Sequence, residues 1–137
     1  LVISLAPRAA LMTAIITGRS SAIVEHRAKE LHIDLVYQGC RNKCTAYADI
    51  KAKTGLTDEE IAYIGDDIID LPVMHMVGLP CAVGDAVPEV KDAAQIIANE
   101  RGGHGAVREI YEIILKTQGR WDEILTAFQT NVDEVAQ

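Results

Sequence analysis

An α/β fold, in which a mainly parallel sheet is covered on both faces by helices, is what this sequence predicts, and three observations predict it. Short apolar, β-branched runs recur and close on glycine: 13–17 before Gly18, Leu35-Val36-Tyr37 before Gly39, and 61–64 before Gly65. Between them lie stretches with helical spacing and capping signals. The links are short, and strand–helix–strand units joined this way wind as right-handed crossovers into a parallel, three-layer arrangement.

The first strand expected is 13–17, since the opening ten residues show no strand pattern. Ser20 or Ser21 caps a helix in which Ile23, Val24, Ala28 and Leu31 recur at helical spacing. After the second strand, an alanine- and lysine-rich stretch over 42–53 reads as a helix stopped by Gly55. Thr57 and Glu60 have capping-box spacing and open a short turn into the strand 61–64. Beyond Gly65-Asp66-Asp67 the pattern predicts a helix over 69–76, a strand over 81–83, a helix over 88–94 with Pro88 near its start, and a strand over 95–97. The stretch 103–116 is an amphipathic helix with Val107, Ile110, Ile114 and Tyr111 on its buried side, and 122–135 is a peripheral last helix. No repeat, linker or low-complexity segment divides the chain, so one domain over 1–137 is expected.

With 49% apolar residues, the 137-residue chain can bury a real core. The net charge of -7, from 20 acidic against 13 basic residues, gives no footprint for nucleic acid or an anionic membrane and favours a small-molecule or protein partner. Three cysteines without CxxC spacing favour neither a disulfide framework nor a zinc site, and suggest a reducing, cytoplasmic compartment. Cys40 and Cys44, four apart, are placed on a shared helix face in a packing or surface role. The apolar opening 1–16 is broken by Ser4, Pro7, Arg8 and Thr13, which excludes a membrane span there.

In a parallel sheet, ligands bind beyond the carboxyl ends of the strands. The residues there are Thr17-Gly18-Arg19-Ser20, 39–43, Gly65-Asp66-Asp67 and Gly84-Asp85. Hydroxyl, guanidinium and ammonium groups suit a phosphate, and carboxylates suit a hard cation. Asp66, Asp67 and Asp70 crowd negative charge at one strand end, which a bound Mg2+ would compensate; a helix cap explains one of the three without any metal. Thr17, Gly18 and Arg19 have the strand-to-helix setting of an anion site, or of an ordinary solvated loop. Lys43 is a phosphate ligand or a surface lysine. The segment Gly102-Gly103-His104-Gly105, with Arg108 one turn later, is glycine-dense for a helix start and implies close backbone approach to something. His104 reads as a substrate contact, a cap or a surface residue.

Several strings occur in one order with characteristic spacing: Ala14-Ile15-Ile16-Thr17-Gly18-Arg19-Ser20-Ser21, Val36-Tyr37-Gln38-Gly39, Ala62-Tyr63-Ile64-Gly65-Asp66-Asp67, Asp70-Leu71-Pro72-Val73-Met74 and Gly102-Gly103-His104-Gly105-Ala106-Val107-Arg108-Glu109. Together, over about 13–122, they resemble the 3-deoxy-D-manno-octulosonate 8-phosphate phosphatases, capless members of the haloacid dehalogenase superfamily. The resemblance implies a Rossmann-like domain, a homotetramer, and Mg2+-dependent removal of phosphate from an eight-carbon sugar acid in lipopolysaccharide precursor synthesis. It makes Thr17 the hydroxyl that binds the phosphoryl group, Lys43 the cation that stabilises its charge, and Asp66 a metal ligand. Asp67 and Asp70 support the metal or its loop, with Asp70 taken as the second metal ligand and Asp67 grouped with the catalytic residues. Gly18, Arg19 and Arg108 become substrate contacts, and 102–108 a segment that helps close a site near a subunit interface.

The same family opens with an apolar strand followed by Asp-x-Asp, whose first carboxylate attacks phosphorus. No Asp-x-Asp occurs in this sequence, and its first aspartate is Asp34. The expectation is therefore a domain short of its first strand, with an exposed sheet edge that another copy of the chain would cover. Two other readings are a noncatalytic binding or oligomeric subunit and a phosphatase of a nine-carbon sugar-acid phosphate.

Overall fold

The computed structural model describes residues 1–5, 12–18, 20, 22–30 and 33–119, with Asp122 and Thr126 beyond them. The described strands are β1 (Val2–Ser4), β2 (Thr13–Ile16), β3 (Leu35–Tyr37), β4 (Ile61–Gly65), β5 (Leu79–Ala82) and β6 (Ile96–Ile97). The helices are α1 (Ala22–Glu30), α2 (Lys43–Thr54), α3 (Leu71–Met74), α4 (Pro88–Ala93) and α5 (Ala106–Thr117), with 3-10 turns at Asp58–Glu60 and Ile68–Asp70. The strands form one sheet in the order β3-β2-β1-β4-β5-β6. Pairs β2–β3, β4–β5 and β5–β6 are parallel, as the alternating pattern predicts.

The exception is β1, a strand absent from the sequence expectation. It fills the centre of the sheet, antiparallel to both neighbours, with Val2 opposite Ala14 on one side and Tyr63 on the other. Only residues 5–12 separate β1 from β2. That is too short for the crossover that a parallel neighbour requires and ample for an antiparallel return. The expected open edge is thus not exposed between β2 and β4, because Val2 and Ile3 are buried there.

Local signals explain the helices. Asn42 caps α2 by accepting from the Cys44 N–H at 3.0 Å, and Gly55 closes the helix with its N–H on the Lys51 carbonyl. Because α2 begins at Lys43, Cys40 lies before it and does not share a helix face with Cys44. The helix expected over 69–76 is shorter: Asp67 caps a 3-10 turn and α3 holds only Leu71–Met74. In α1, Ala28 is buried but Ile23 faces solvent. The helix expected over 103–116 starts later, at Ala106, after a glycine loop, so Ala106, Ile110, Ile114 and Leu115 form the buried stripe and Val107 is exposed. The helix expected over 122–135 lies outside the described residues, apart from Asp122 and Thr126. No helix among the described residues is long and apolar enough to cross a membrane.

The core joins both helical layers to the sheet: Tyr47 and Ile50 of α2, Val73 and Met74 of α3, and Ile110 and Ile114 of α5 meet Ile3, Ile61, Tyr63 and Cys81. Ile110 is 0% exposed. Truncating it to alanine is expected to lower unfolding free energy by about 2–5 kcal/mol, whereas Val107→Ala, on the exposed side of the same helix, should stay within about 0.5 kcal/mol. Urea unfolding of the two variants, read as a midpoint shift at constant slope, checks the assignment of the buried stripe.

Candidate active site

The carboxyl end of β4 is built around a close approach. A Cβ on Gly65 would lie 2.7 Å from Met74 Sδ and 2.9 Å from Asp70 Cβ, so glycine is what lets Asp70 fold back over the strand end. Asp70 is only 2% exposed and its carboxylate is fully occupied. Oδ1 accepts from Lys43 Nζ at 2.7 Å and from Tyr63 Oη at 2.6 Å. Oδ2 accepts from the backbone N–H of Asp66 at 3.0 Å and of Asp67 at 3.2 Å. Burial works to raise this carboxyl, but the hydrogen bonds from Lys43, Tyr63 and the Asp66 N–H outweigh it and hold it well below the usual carboxylate range. Tyr63 is pushed the other way, by burial and then by the Asp70 charge, so its hydroxyl remains a donor at any working pH.

Asp66 and Asp67 follow on the surface. Asp67 accepts from the Ile68 N–H at 2.7 Å and so performs the capping role. Asp66 is exposed by area, yet the protein packed behind its carboxyl and its bonded contact with charged Asp70 raise its pKa. It is the carboxylate of the cluster whose negative charge is least compensated. Its donor chemistry fits Mg2+, which typically takes one or two carboxylates and completes its octahedron with water and phosphate oxygens. Among the described residues no three His, Cys, Asp or Glu side chains gather into an all-protein metal cage.

The structure ties Lys43, Asp66, Asp67 and Asp70 into one hydrogen-bonded cluster. Thr17 and Gly18 stand at the end of β2, across β1 from Asp66 in the sheet order. The Thr17 N–H donates to Tyr37 O at 2.9 Å, and its carbonyl accepts from the Cys40 N–H at 3.0 Å, which fastens the Thr17 loop to the segment that leads into Lys43. Arg19 lies outside the described residues. Arg108 is exposed in the first turn of α5 and joins none of these bonds. Among the described residues, β1 brings no carboxylate to this end of the sheet; the residue before it, Leu1, pairs with the backbone of Ile64 there.

Residues 22–110 match the profile of the haloacid dehalogenase-like hydrolases. The chain belongs to that family. Within it, the chain is 46% identical over 110 residues to the 3-deoxy-D-manno-octulosonate 8-phosphate phosphatase KdsC of Escherichia coli K12, an overlap of 80% of this chain and 58% of that protein. It therefore spans less than two thirds of the length of its curated relatives. A crystal structure of the Moraxella catarrhalis 3-deoxy-D-manno-octulosonate 8-phosphate phosphatase, in complex with magnesium, phosphate and KDO, superposes with a TM-score of 0.82 at 40% identity, over 88% of this chain and 70% of that one. The Yersinia pestis enzyme of the same name gives 0.80 at 43% identity, over 84% of this chain and 62% of that one.

Two features of this haloacid dehalogenase-like site do not follow from the sequence pattern. Tyr63 sits in an apolar strand run, and the one signal for its role is that a tyrosine inside a buried strand needs a partner for its hydroxyl. Glu109 has no sequence signal beyond its place in the Gly102–Glu109 string. The thiol of buried Cys81 is pushed up to about 12 by its burial, which makes it an inert core group.

Because the folded-state pKa of Asp70 lies below its unfolded value of about 3.9, its contribution is present above that pH and is lost as pH falls through the folded value. Asp70→Asn should lower stability by roughly 3–5 kcal/mol at pH 7, the cost of leaving the Lys43 charge unpaired in a buried setting. The gap between wild type and variant should narrow at pH 3, and urea titrations at the two pH values measure it.

Proposed function

We propose that this chain works as a Mg2+-dependent phosphoric monoester hydrolase that converts 3-deoxy-D-manno-octulosonate 8-phosphate to the free sugar acid and phosphate. We assign it to the cytoplasm, to a homotetramer and to lipopolysaccharide precursor synthesis. The observation that carries the reading is the Lys43–Asp70–Asp66 cluster beyond the carboxyl end of β4. There an ammonium held by a fully bonded carboxylate stands beside the solvent-exposed Asp66, the carboxylate we assign to the cation. The names of the similar proteins support the substrate.

The roles of Lys43, Asp67 and Asp70 rest on their contacts, and those of the other residues on the family resemblance. Lys43, fixed by Asp70, places positive charge where phosphoryl oxygens gather, since phosphoryl transfer is catalysed mainly by positioning and charge stabilisation. Thr17 and the Gly18 backbone hold the same phosphoryl group from the β2 side, with Arg19 and Arg108 as further substrate contacts. Asp66 gives the direct carboxylate to Mg2+. Asp67 shapes the metal loop, and Asp70, with both oxygens occupied, acts from behind by holding Lys43 and the Asp66–Asp67 amides. When bound, Mg2+ would supply charge neutralisation at the phosphate.

A second reading is favoured by one observation, the central strand β1 with no carboxylate to offer. In that reading the chain is a noncatalytic relative that binds the anion and assembles with other copies. Phosphate release from 3-deoxy-D-manno-octulosonate 8-phosphate, with and without Mg2+, separates the two, and a nine-carbon sugar-acid phosphate run in parallel tests the substrate. Release that Asp66→Asn abolishes supports the hydrolase. Binding of phosphate without release supports the second reading. In either case Mg2+ at about 100 times its Kd should add about 2.7 kcal/mol to unfolding free energy, and Asp66→Asn should lose most of that thermal shift.

A further inference from the structure

The loop over 98–105 carries Arg101, Gly102, Gly103, His104 and Gly105, all exposed, with Gly103 and Gly105 at φ of +78° and +101°. Three glycines in four residues have more backbone freedom to lose than almost any other composition, so such a loop holds one shape only if something fixes it. Two carboxylates do so. Glu109, in the first turn of α5, accepts from the Asn99 N–H at 2.8 Å through Oε2 and at 3.0 Å through Oε1, and Oε1 also accepts from the Glu100 N–H at 3.0 Å. Asp85, just after β5, accepts from the Gly102 N–H at 2.8 Å through Oδ1.

Between these two anchors the backbones are in direct contact. The Gly84 N–H donates to Glu100 O at 2.8 Å, and a Cβ at Gly84 would meet the carbonyl oxygens of Asn99 and Glu100 at 2.7 Å and of Ala98 at 2.9 Å. The turn that follows β5 is in turn tied to the metal loop, since the Val87 N–H donates to Asp66 O at 3.1 Å. A continuous set of backbone bonds thus runs from Asp66 to the glycine loop. Arg101 and His104 stand close enough to Asp85 to lower its carboxyl further, after the Gly102 N–H and the Asp85 backbone itself. The loop therefore presents cationic and donor side chains near the metal loop, on the side of β4 away from Thr17.

We propose that Glu109, with Asp85, is a positioning residue: the two carboxylates clamp the 98–105 loop against the β5 turn, so that Arg101, His104 and Arg108 meet the carboxylate-bearing sugar end of the ligand while its phosphate lies on Lys43. This rests on the phosphatase reading above and adds to it the part of the fold that selects the leaving group. Among the described residues, the Glu109 carboxylate bonds only to the Asn99 and Glu100 amides and not to the phosphate side of the site, so loss of the clamp should touch one end of the ligand and spare the other.

Calorimetric binding of the two products, 3-deoxy-D-manno-octulosonate and inorganic phosphate, in the presence of Mg2+ tests this without turnover. Glu109→Ala should weaken sugar-acid binding about tenfold and phosphate binding less than twofold, with Glu109→Gln, which keeps one acceptor oxygen, in between. Asp85→Ala, on a different element, should act in the same direction. Amide exchange serves as the structural control: the Asn99 and Glu100 amides should lose protection in the Glu109 variants while those of β4 keep theirs. Unchanged sugar-acid affinity in a variant whose loop amides exchange fast overturns the clamp, as does equal weakening of both ligands. An unaltered chain that takes up phosphate but not the sugar acid overturns the substrate reading instead, and the clamp's role with it, before any substitution is made.

Discussion

The carboxylate of Asp70 is the constraint on which the site depends. Four donors from three parts of the chain converge on two oxygens: the ammonium at the start of α2, the phenol in the middle of β4, and two consecutive amides of the metal loop. Removing such a charge from water is costly and is tolerated only when its bonding capacity is filled. Here it is filled by groups gathered at the carboxyl end of β4. The same four bonds that make burial tolerable also orient Lys43 and shape the loop that exposes Asp66. The two neighbouring carboxylates consequently separate in character, one held ionised and buried, the other exposed and raised.

The centre of the sheet follows a different logic. β1 is three residues long, almost wholly buried, and runs against the direction of both neighbours. An antiparallel strand in this position satisfies the facing ladders of β2 and β4 and fills the core, so the two halves of the sheet meet without a gap. Its direction sends Ser4 toward the far end and Leu1 toward the ligand end. What β1 contributes is cohesion, and the hydrogen-bonded cluster at that end is built from α2, β4 and the turn after it.

Much of this was legible in the sequence because its signals are local. Asn42 and Gly55 bracket α2, the Thr57 and Glu60 pair announces the turn before β4, and the Gly-Asp-Asp string marks the end of that strand. What was not legible depended on tertiary partners. β1 has too few residues to show a period and exists because two strand edges receive it. Pro80 masked the start of β5, since proline in an inner strand argues against that strand; its carbonyl still accepts from the Gln95 N–H at 2.8 Å. The three aspartates look alike on paper, and only the fold reveals that Asp70 is saturated, Asp67 caps a turn and Asp66 is exposed beside them. Glu109 resembles any acid in a first helical turn until the bound amides are found ten positions upstream.

The outermost strands carry a further consequence. β3 has three residues and β6 only two, so neither rim of the sheet offers a neighbouring molecule a ladder worth extending. Long flat rims invite indiscriminate strand addition, and brevity at both sides removes that route. Among the described residues, the surfaces left to a neighbouring copy are therefore side-chain surfaces on helices and loops. Contacts of that kind depend on shape and can be specific, whereas a backbone seam would accept almost any extended peptide.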